Sequence, residues 1–311
     1  MGKAYTSIDG DLATVYFNPA GVGSLRGAEF IGSYTPPGYY ASEGYYTFFG
    51  AGVKANDYLR IVVSQFQFNL GKTNTGRGTP AFAKHNTLTI ASEPVKNLYI
   101  GLNANLLLYD PVIVGPEKSF YLDFGAIKKF EFRRNESSRH AINIGASISN
   151  FTMSVMTFGN SQFDLPVELP VTARVGLNYQ VFFDKKLPDR KLESLQFLIQ
   201  GEYRNVVNSD YYSAYRAGAE VLLFEVFALR AGYYKEEEND HGFPYVNYDH
   251  ISAITMGLGL QLPLYKLSET PLNIRFDYTS LPQESYSESA MDFGNFTTYS
   301  LSVSWLFKEK S

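Results

Sequence analysis

Apolar and polar positions alternate with a period of two through most of this chain. In 100–106, Ile100, Leu102, Ala104 and Leu106 share one face against Gly101, Asn103 and Asn105. In 141–149, Ile142, Ile144, Ala146 and Ile148 oppose Asn143, Gly145, Ser147 and Ser149. In 171–179, Val171, Ala173, Val175, Leu177 and Tyr179 oppose Thr172, Arg174, Gly176 and Asn178. The same reading holds for 195–204, 214–221, 227–234, 254–262, 272–279 and 299–307. Such alternation is the mark of strands with one greasy and one wet face. Fourteen strands are predicted: 28–35, 42–54, 58–70, 83–93, 97–107, 119–131, 140–149, 168–182, 193–206, 212–223, 226–235, 250–262, 271–280 and 296–307. The stretch 60–63 alternates poorly, and its faces cannot be assigned from sequence.

The wet faces carry charge: Arg174, Glu202, Arg204, Arg216, Glu220, Arg230, Arg275 and Asp277 all lie on them. A soluble β-sandwich would put these residues in solvent. A transmembrane antiparallel barrel would turn them into its lumen and present the apolar faces to lipid. Three features favour the barrel. The strands run to about nine to thirteen residues, which suits a tilted bilayer crossing better than the five or six usual in soluble sheets. The links alternate in length, short near 55–57, 94–97 and 224–225, long at 71–83, 107–119, 150–170, 235–250 and 281–295. Two links, 132–139 and 184–194, should be short by this rule and are not. Finally, the last strand sets Tyr299, Leu301, Val303, Trp305 and Phe307 against three serines and Leu306. Tyr179, Tyr203, Tyr233 and Tyr278 sit near strand ends, where an interfacial girdle would place them. The expected fold is therefore all-β, a barrel of about fourteen strands, and the even number brings both chain ends to one side.

Composition agrees with this and narrows the function. The 311 residues include 24 Tyr, 24 Phe and one Trp, a load that calls for a large core, a sugar-binding surface or a lipid interface. Mean hydropathy is −0.17, and no run approaches the ~18 apolar residues of a membrane helix. A net charge of −4 speaks against nucleic-acid binding. The absence of cysteine removes disulfides, thiol catalysis and thiolate zinc sites. Met1 is followed directly by Gly2-Lys3-Ala4-Tyr5, without the apolar stretch of a signal peptide.

Residues 1–27 fit neither strand nor helix. A barrel this wide cannot be filled by its own wall side chains, so the segment reads as a hatch folded into the lumen, with 28–311 as the barrel. Its centre is Phe17-Asn18-Pro19-Ala20-Gly21: Asn-Pro favours a turn, the small residues permit close approach, and the Asn amide can bond wall groups. A disordered tail is the alternative.

The opening MGKAYTSIDGDLATVYFNPAG resembles the entrance of the FadL-like outer-membrane superfamily. LPVTARVGLNYQV and LIQGEYRNVVNSDYYSAYRAGAEVLLFEVFALRAGYY resemble the PorV/PorQ family of type IX secretion. The resemblance covers 1–35 and about 140–235. It implies a non-enzymatic barrel of the outer membrane whose signal peptide has been removed. In the secretion branch such a barrel docks beside a larger translocon or carries sorting-domain cargo. In the FadL branch it passes hydrophobic molecules such as long-chain fatty acids. The modest length of this chain favours the secretion branch as the sequence-based expectation.

Other chemistry is thin. His85, His140, His241 and His250 are scattered and read as loop polarity. The segment 21–27 misses the dinucleotide pattern and follows no strand. Asp9-Gly10-Asp11 and the acidic run 236–240 read as solvated charge rather than calcium ligands. No catalytic, cofactor or metal residue is assigned. The luminal charges, five Arg against three acids, read as cross-strand braces that hold the hatch; a polar conduction path is the alternative.

Overall fold

The computed structural model describes residues 4–36, 44–72, 80–110, 116–135, 138–158, 165–183, 195–208, 213–237, 250–268, 270–281 and 296–307. The chain runs through β1 (Gly27–Thr35), β2 (Tyr45–Lys54), β3 (Leu59–Lys72), β4 (Pro80–Val95), β5 (Leu98–Asp110), β6 (Glu117–Asn135) and β7 (Ser138–Ser149). There follow β8 (Val155–Phe158), β9 (Leu165–Glu168), β10 (Thr172–Phe183), β11 (Leu195–Val206), β12 (Ser213–Leu223) and β13 (Phe227–Glu237). Last come β14 (His250–Pro263), a single helical turn α1 (Leu264–Leu267), β15 (Leu272–Leu281) and β16 (Phe296–Leu306). Among the described residues fourteen of these strands close into one antiparallel barrel, while β8 and β9 form a separate ribbon. Closure is made by β1 on β16, in register from Gly27↔Leu306 to Tyr34↔Tyr299. Among the described residues the barrel wall therefore has no free backbone edge.

Each predicted strand lies within or close to one of the fourteen wall strands. The ribbon was not foreseen; it occupies the link predicted at 150–170, so β7 pairs directly with β10. At the end where the chain enters and leaves, the connections are tight. Lys96-Asn97 and Phe224-Glu225 turn with left-handed φ at Asn97, Phe224 and Glu225, and the Asn56 carboxamide accepts from the Tyr58 and Leu59 amides. The link at 132–139, read as long, is a correction: β6 continues to Asn135 and β7 begins at Ser138. Charged residues such as Glu131, Arg133 and Arg139 sit where these strands emerge into water, and they hide the apolar alternation that marks a strand. Residues 184–194 lie outside the described ones.

The faces divide as a membrane barrel requires. Along β10, Val175 and Leu177 are 57% and 52% exposed, while Asn178 between strands of the same wall is fully buried. Tyr34, Tyr203, Tyr215, Tyr233, Tyr278 and Tyr299 ring the outside towards the far end, with Tyr278 and Tyr299 in contact at 5.5 Å. Trp305, Phe307, Phe227, Phe197 and Phe183 ring the end where the termini lie, all outward and exposed. Two aromatic belts flanking an apolar band are the expected dress of a barrel spanning a bilayer.

The third strand, unreadable from its sequence, is explained by what lies on each side of it. Val63 points outward and is 56% exposed, whereas Val62 is buried in the lumen beneath the N-terminal segment. Both faces of β3 meet apolar surroundings there, so no alternation appears.

Leu177→Arg places a charge in the middle of the outward band. It is expected to cost about 2–4 kcal/mol of stability in lipid vesicles, measured by denaturant unfolding. The inward Gln180→Arg, by contrast, should be far better tolerated.

Candidate functional site

The lumen is the site, and the N-terminal segment organises it. Residues 4–26 run inside the barrel as two short 3-10 turns, Leu12–Tyr16 and Pro19–Ser24, capped by Asp11 and Asn18 respectively. Each cap side chain accepts from the amide two residues on, Asp11 from Ala13 at 2.8 Å and Asn18 from Ala20 at 3.0 Å. Short polar side chains in this role start helical turns that propensity alone would not.

One face of the segment is apolar. Leu12, Val15, Val22 and Leu25 pack on Ile31, Phe48, Val62 and Ala91 from β1 to β4. Fully burying a Val or Leu is worth roughly 1.5–3 kcal/mol, so this cluster alone fixes the segment to that wall.

The other face is seated backbone to backbone. Gly101, Gly125, Gly145 and Gly176 lie on four adjacent strands, β5, β6, β7 and β10, under Thr6, Asn18 and Pro19. A Cβ at Gly125 would come within 1.9 Å of Asn18 Oδ1, and one at Gly101 within 2.3 Å of the Pro19 carbonyl carbon. At Gly145 it would meet the Thr6 carbonyl oxygen at 2.2 Å. Through this glycine floor Asn18 Nδ2 donates to Thr6 O at 2.7 Å, Ala126 O at 3.1 Å and Ala146 O at 3.3 Å. The buried Asn143 and Asn178 both donate to Ser7 O, Asn103 donates to Val15 O and Ser147 to Phe17 O. The segment lacks a sheet partner, so these amides and hydroxyls satisfy a backbone that would otherwise be buried bare.

The predicted hatch residues are thus at the packed centre. Phe17 stacks on Tyr5 at 5.1 Å; Asn18, Pro19, Ala20 and Gly21 are buried. The predicted charges fall into two groups. In the first, Glu202 faces Arg216 across β11 and β12 at 3.0 Å. Its other oxygen accepts from the Tyr5 and Thr6 amides and the Thr6 hydroxyl at 2.9, 3.0 and 2.8 Å. Arg204 and Arg216 share Glu236. In the second, Arg230 pairs with Glu220 and reaches across β14 to Asp277. Gly257 and Gly259 leave the room for that reach: a Cβ at Gly259 would lie 2.8 Å from Asp277 Oδ1. Arg275 pairs with Asp277 at 2.8 Å and with Asp11 of the segment at 2.7 Å. Arg174 stands outside both groups and donates to Ser149 Oγ.

Several sequence expectations are corrected here. Asp9 and Asp11 are not solvated: Asp9 meets Lys129 and Asn143, and Asp11 is buried against Arg275. They are acids in the service of the lumen, drawn in by cations of the wall. Of the acidic run 236–240, Glu236 is ion-paired and 238–240 lie outside the described residues. His85 and His140 are strand residues, not loop residues. His85 points inward and meets the Tyr121 hydroxyl at 2.7 Å; His140 lies outward between Phe132 and Tyr179 in the lower belt. His250 opens β14, and His241 lies outside the described residues. The glycine floor, Glu236 and Asp123, which accepts from Asn103, Asn105 and the Asn150 amide, were missed. Inward glycines look in sequence like any small polar-face residue.

The segment leaves part of the lumen open. A cavity of about 1310 Å³ is lined along the inward faces of β1, β15 and β16, from Gly27, Asn273 and Leu306 to Thr35, Leu281 and Phe296, with Ser302 outside the lining, and it also reaches Arg60, Glu93 and Lys129 beneath the segment. At the far end its lining includes Tyr46, Phe66, Phe296 and Leu281. Tyr46 contacts Phe66 and Phe296 at 5.8 Å and stacks on Phe68 at 4.3 Å. Beside these rings the wall is hydroxylated, with Ser33 bonded to Ser300 and Thr35 to Thr298. Among the described residues no cluster of His, Asp or Glu is placed to hold a metal.

Solved structures with this architecture exist. The TodX deltaS2S3 mutant, a monoaromatic hydrocarbon channel, aligns over 98% of this chain and 96% of its own, with a TM-score of 0.50 and 10% identity. The likeness is one of fold. A Pseudomonas aeruginosa FadL homologue aligns at TM-score 0.48 and 11% identity over 98% and 96% of the two chains. The CymD monoaromatic hydrocarbon channel aligns at 0.46 and 9% over 99% and 95%. No protein-family model matches the chain, and no curated protein does. The closed fourteen-stranded barrel therefore stands on the structure, and the FadL-like and PorV/PorQ resemblances on the quoted residues.

Gly125→Val is expected to push Asn18 off its seat. The N-terminal segment of the folded barrel should then become cleavable by protease, where the parent resists. The Asp11 tie should also be pH-dependent. Burial alone would raise its carboxyl, but the Arg275 charge and the Ala13 amide outweigh burial and hold it below the usual value. A carboxyl lowered by folding adds stability that is complete above its unfolded pKa and fades as the pH falls through the folded one. Protection of the segment should accordingly weaken in acid, and Asp11→Asn should remove that component of the pH profile.

Proposed function

We propose that this chain is an outer-membrane barrel that passes small hydrophobic molecules, its N-terminal segment serving as a hatch and its far chamber as the capture site. The observation that carries this reading is the chamber itself. Tyr46, Phe66 and Phe296 turn their rings into the lumen at the far end, where polar lining would be the default for a barrel interior. Inward rings at a mouth give an apolar solute a surface to leave water for. The fold agrees, since the neighbours that share it are named as hydrocarbon channels and a FadL homologue. With the wall beginning at Gly27 and ending at Leu306 on the side of the tight turns, that side would face the periplasm and the chamber the exterior. The role of accessory subunit in type IX secretion is supported only by the quoted stretches, and an aromatic chamber serves no purpose in docking.

The test is saturable binding of N-phenyl-1-naphthylamine to the purified barrel in a non-aromatic amphipol, read by probe fluorescence. Tyr46→Ala with Phe66→Ala should weaken binding about tenfold or more, from roughly 1 kcal/mol for each stacked ring. Absence of saturable binding, together with recovery of a much larger barrel in pull-downs from native outer membranes, would favour the secretion role instead.

A further inference from the structure

The conduit reading leaves open how a solute gets past the segment that fills half the lumen, and the inference below rests on that reading. Two facts bear on it. First, the segment is held on one side by contacts that do not yield piecemeal: Gly101, Gly125 and Gly145 with no space for a Cβ, Asn18 bonded to the Ala126 and Ala146 carbonyls of the wall, and an apolar cluster on β1–β4. Dislodging it would strand the Ser7, Val15 and Phe17 carbonyls and the Glu202 oxygen that accepts from Tyr5 and Thr6, each at the cost of a buried polar group left unmet. Second, the 1310 Å³ cavity already extends past it, along β15, β16 and β1.

We propose that solutes cross beside the N-terminal segment, through a standing water-filled passage against β12–β16 and β1, while the segment stays seated. The wall of that passage suits water. Ser33, Ser300 and Thr298 offer hydroxyls, and the chain Glu220–Arg230–Asp277–Arg275–Asp11 holds its guanidinium groups in pairs. On this side, among the described residues, Arg275–Asp11 at 2.7 Å is the ion pair that ties wall to segment. The passage is therefore lined for solutes with hydrogen-bonding groups, and an apolar solute captured in the aromatic chamber would travel it partly hydrated.

The chain has no cysteine, so the segment can be locked cleanly. Thr6 Cβ lies 3.1 Å from where a Cβ on Gly176 would stand, shorter than the ~3.8 Å of a disulfide, so the bond forms with the segment lifted slightly at that point; the variant is T6C/G176C, with S7C/G176C as reserve pair. Single-channel conductance in KCl across a planar bilayer is then compared for the oxidised and reduced barrel. The expected result is a measurable conductance that is the same in both states, and that Ser300→Trp, on the passage wall, largely abolishes. Folding of each variant is checked by heat-modifiable migration. Conductance lost on oxidation and restored on reduction would show that the segment must leave, and would overturn the inference. So would a barrel that conducts in neither state. Neither result touches the naphthylamine binding test, so the passage can fail while the chamber stands.

Discussion

The structure depends first on the closure of β1 onto β16. A strand that faces hydrocarbon has no water to meet its amides and carbonyls, so every ladder must end in another ladder. Gly27 to Tyr34 of β1 find that partner in Leu306 to Tyr299 of β16. At the first pair the strands are so close that a side chain on Gly27 would strike the Trp305 carbonyl oxygen at 1.9 Å. Once the ring is shut, the pleat decides everything else: alternate residues go to lipid, and the remainder must make a tolerable interior. A ring of fourteen strands leaves an interior too wide for those residues to fill, and the N-terminal segment takes up part of it.

Filling a lumen with chain rather than side chains raises a second demand. The segment is irregular, so its backbone polar groups are not satisfied by regular structure and the wall must supply partners one by one. Asn103, Asn143, Asn178, Ser147 and Glu202 do this, each from an inward position on its strand. The glycines on β5, β6, β7 and β10 let the segment come close enough for such bonds to form. An alanine in place of any of the first three of these would forfeit several bonds at once, because it would lift the segment rather than press one side chain.

Much of this was legible in the sequence, for identifiable reasons. The strands were readable because lipid on one side and water or plug on the other impose opposite demands on neighbouring residues; Val175 and Leu177 against Gly176 and Asn178 show both. Legibility failed where the demands coincide. At Val62 and Val63 both sides are apolar, and the period vanishes. At 132–139 both sides are wet, and a hairpin looked like a loop. Asn18 was identifiable because an Asn-Pro turn among small residues has few other uses. The glycine floor was not, because its meaning lies in which strands stand side by side. Asp9 and Asp11 were misread since local sequence cannot show that Lys129 and Arg275, more than a hundred residues on, would turn towards them.

The two halves of the lumen solve the same problem with different chemistry, and the difference follows from where water can reach. Where the segment is packed tight, the wall contributes chiefly neutral groups: amides, hydroxyls and glycines. A bare charge there would have to be matched fully or would be costly, and Glu202, buried to 1% of its side chain, is matched by Arg216 and by three donors of the segment. Along the cavity the wall contributes Glu220, Arg230, Arg275 and Asp277, with side chains 12–25% exposed. Ions in that position keep part of their hydration, so pairing does not have to be complete.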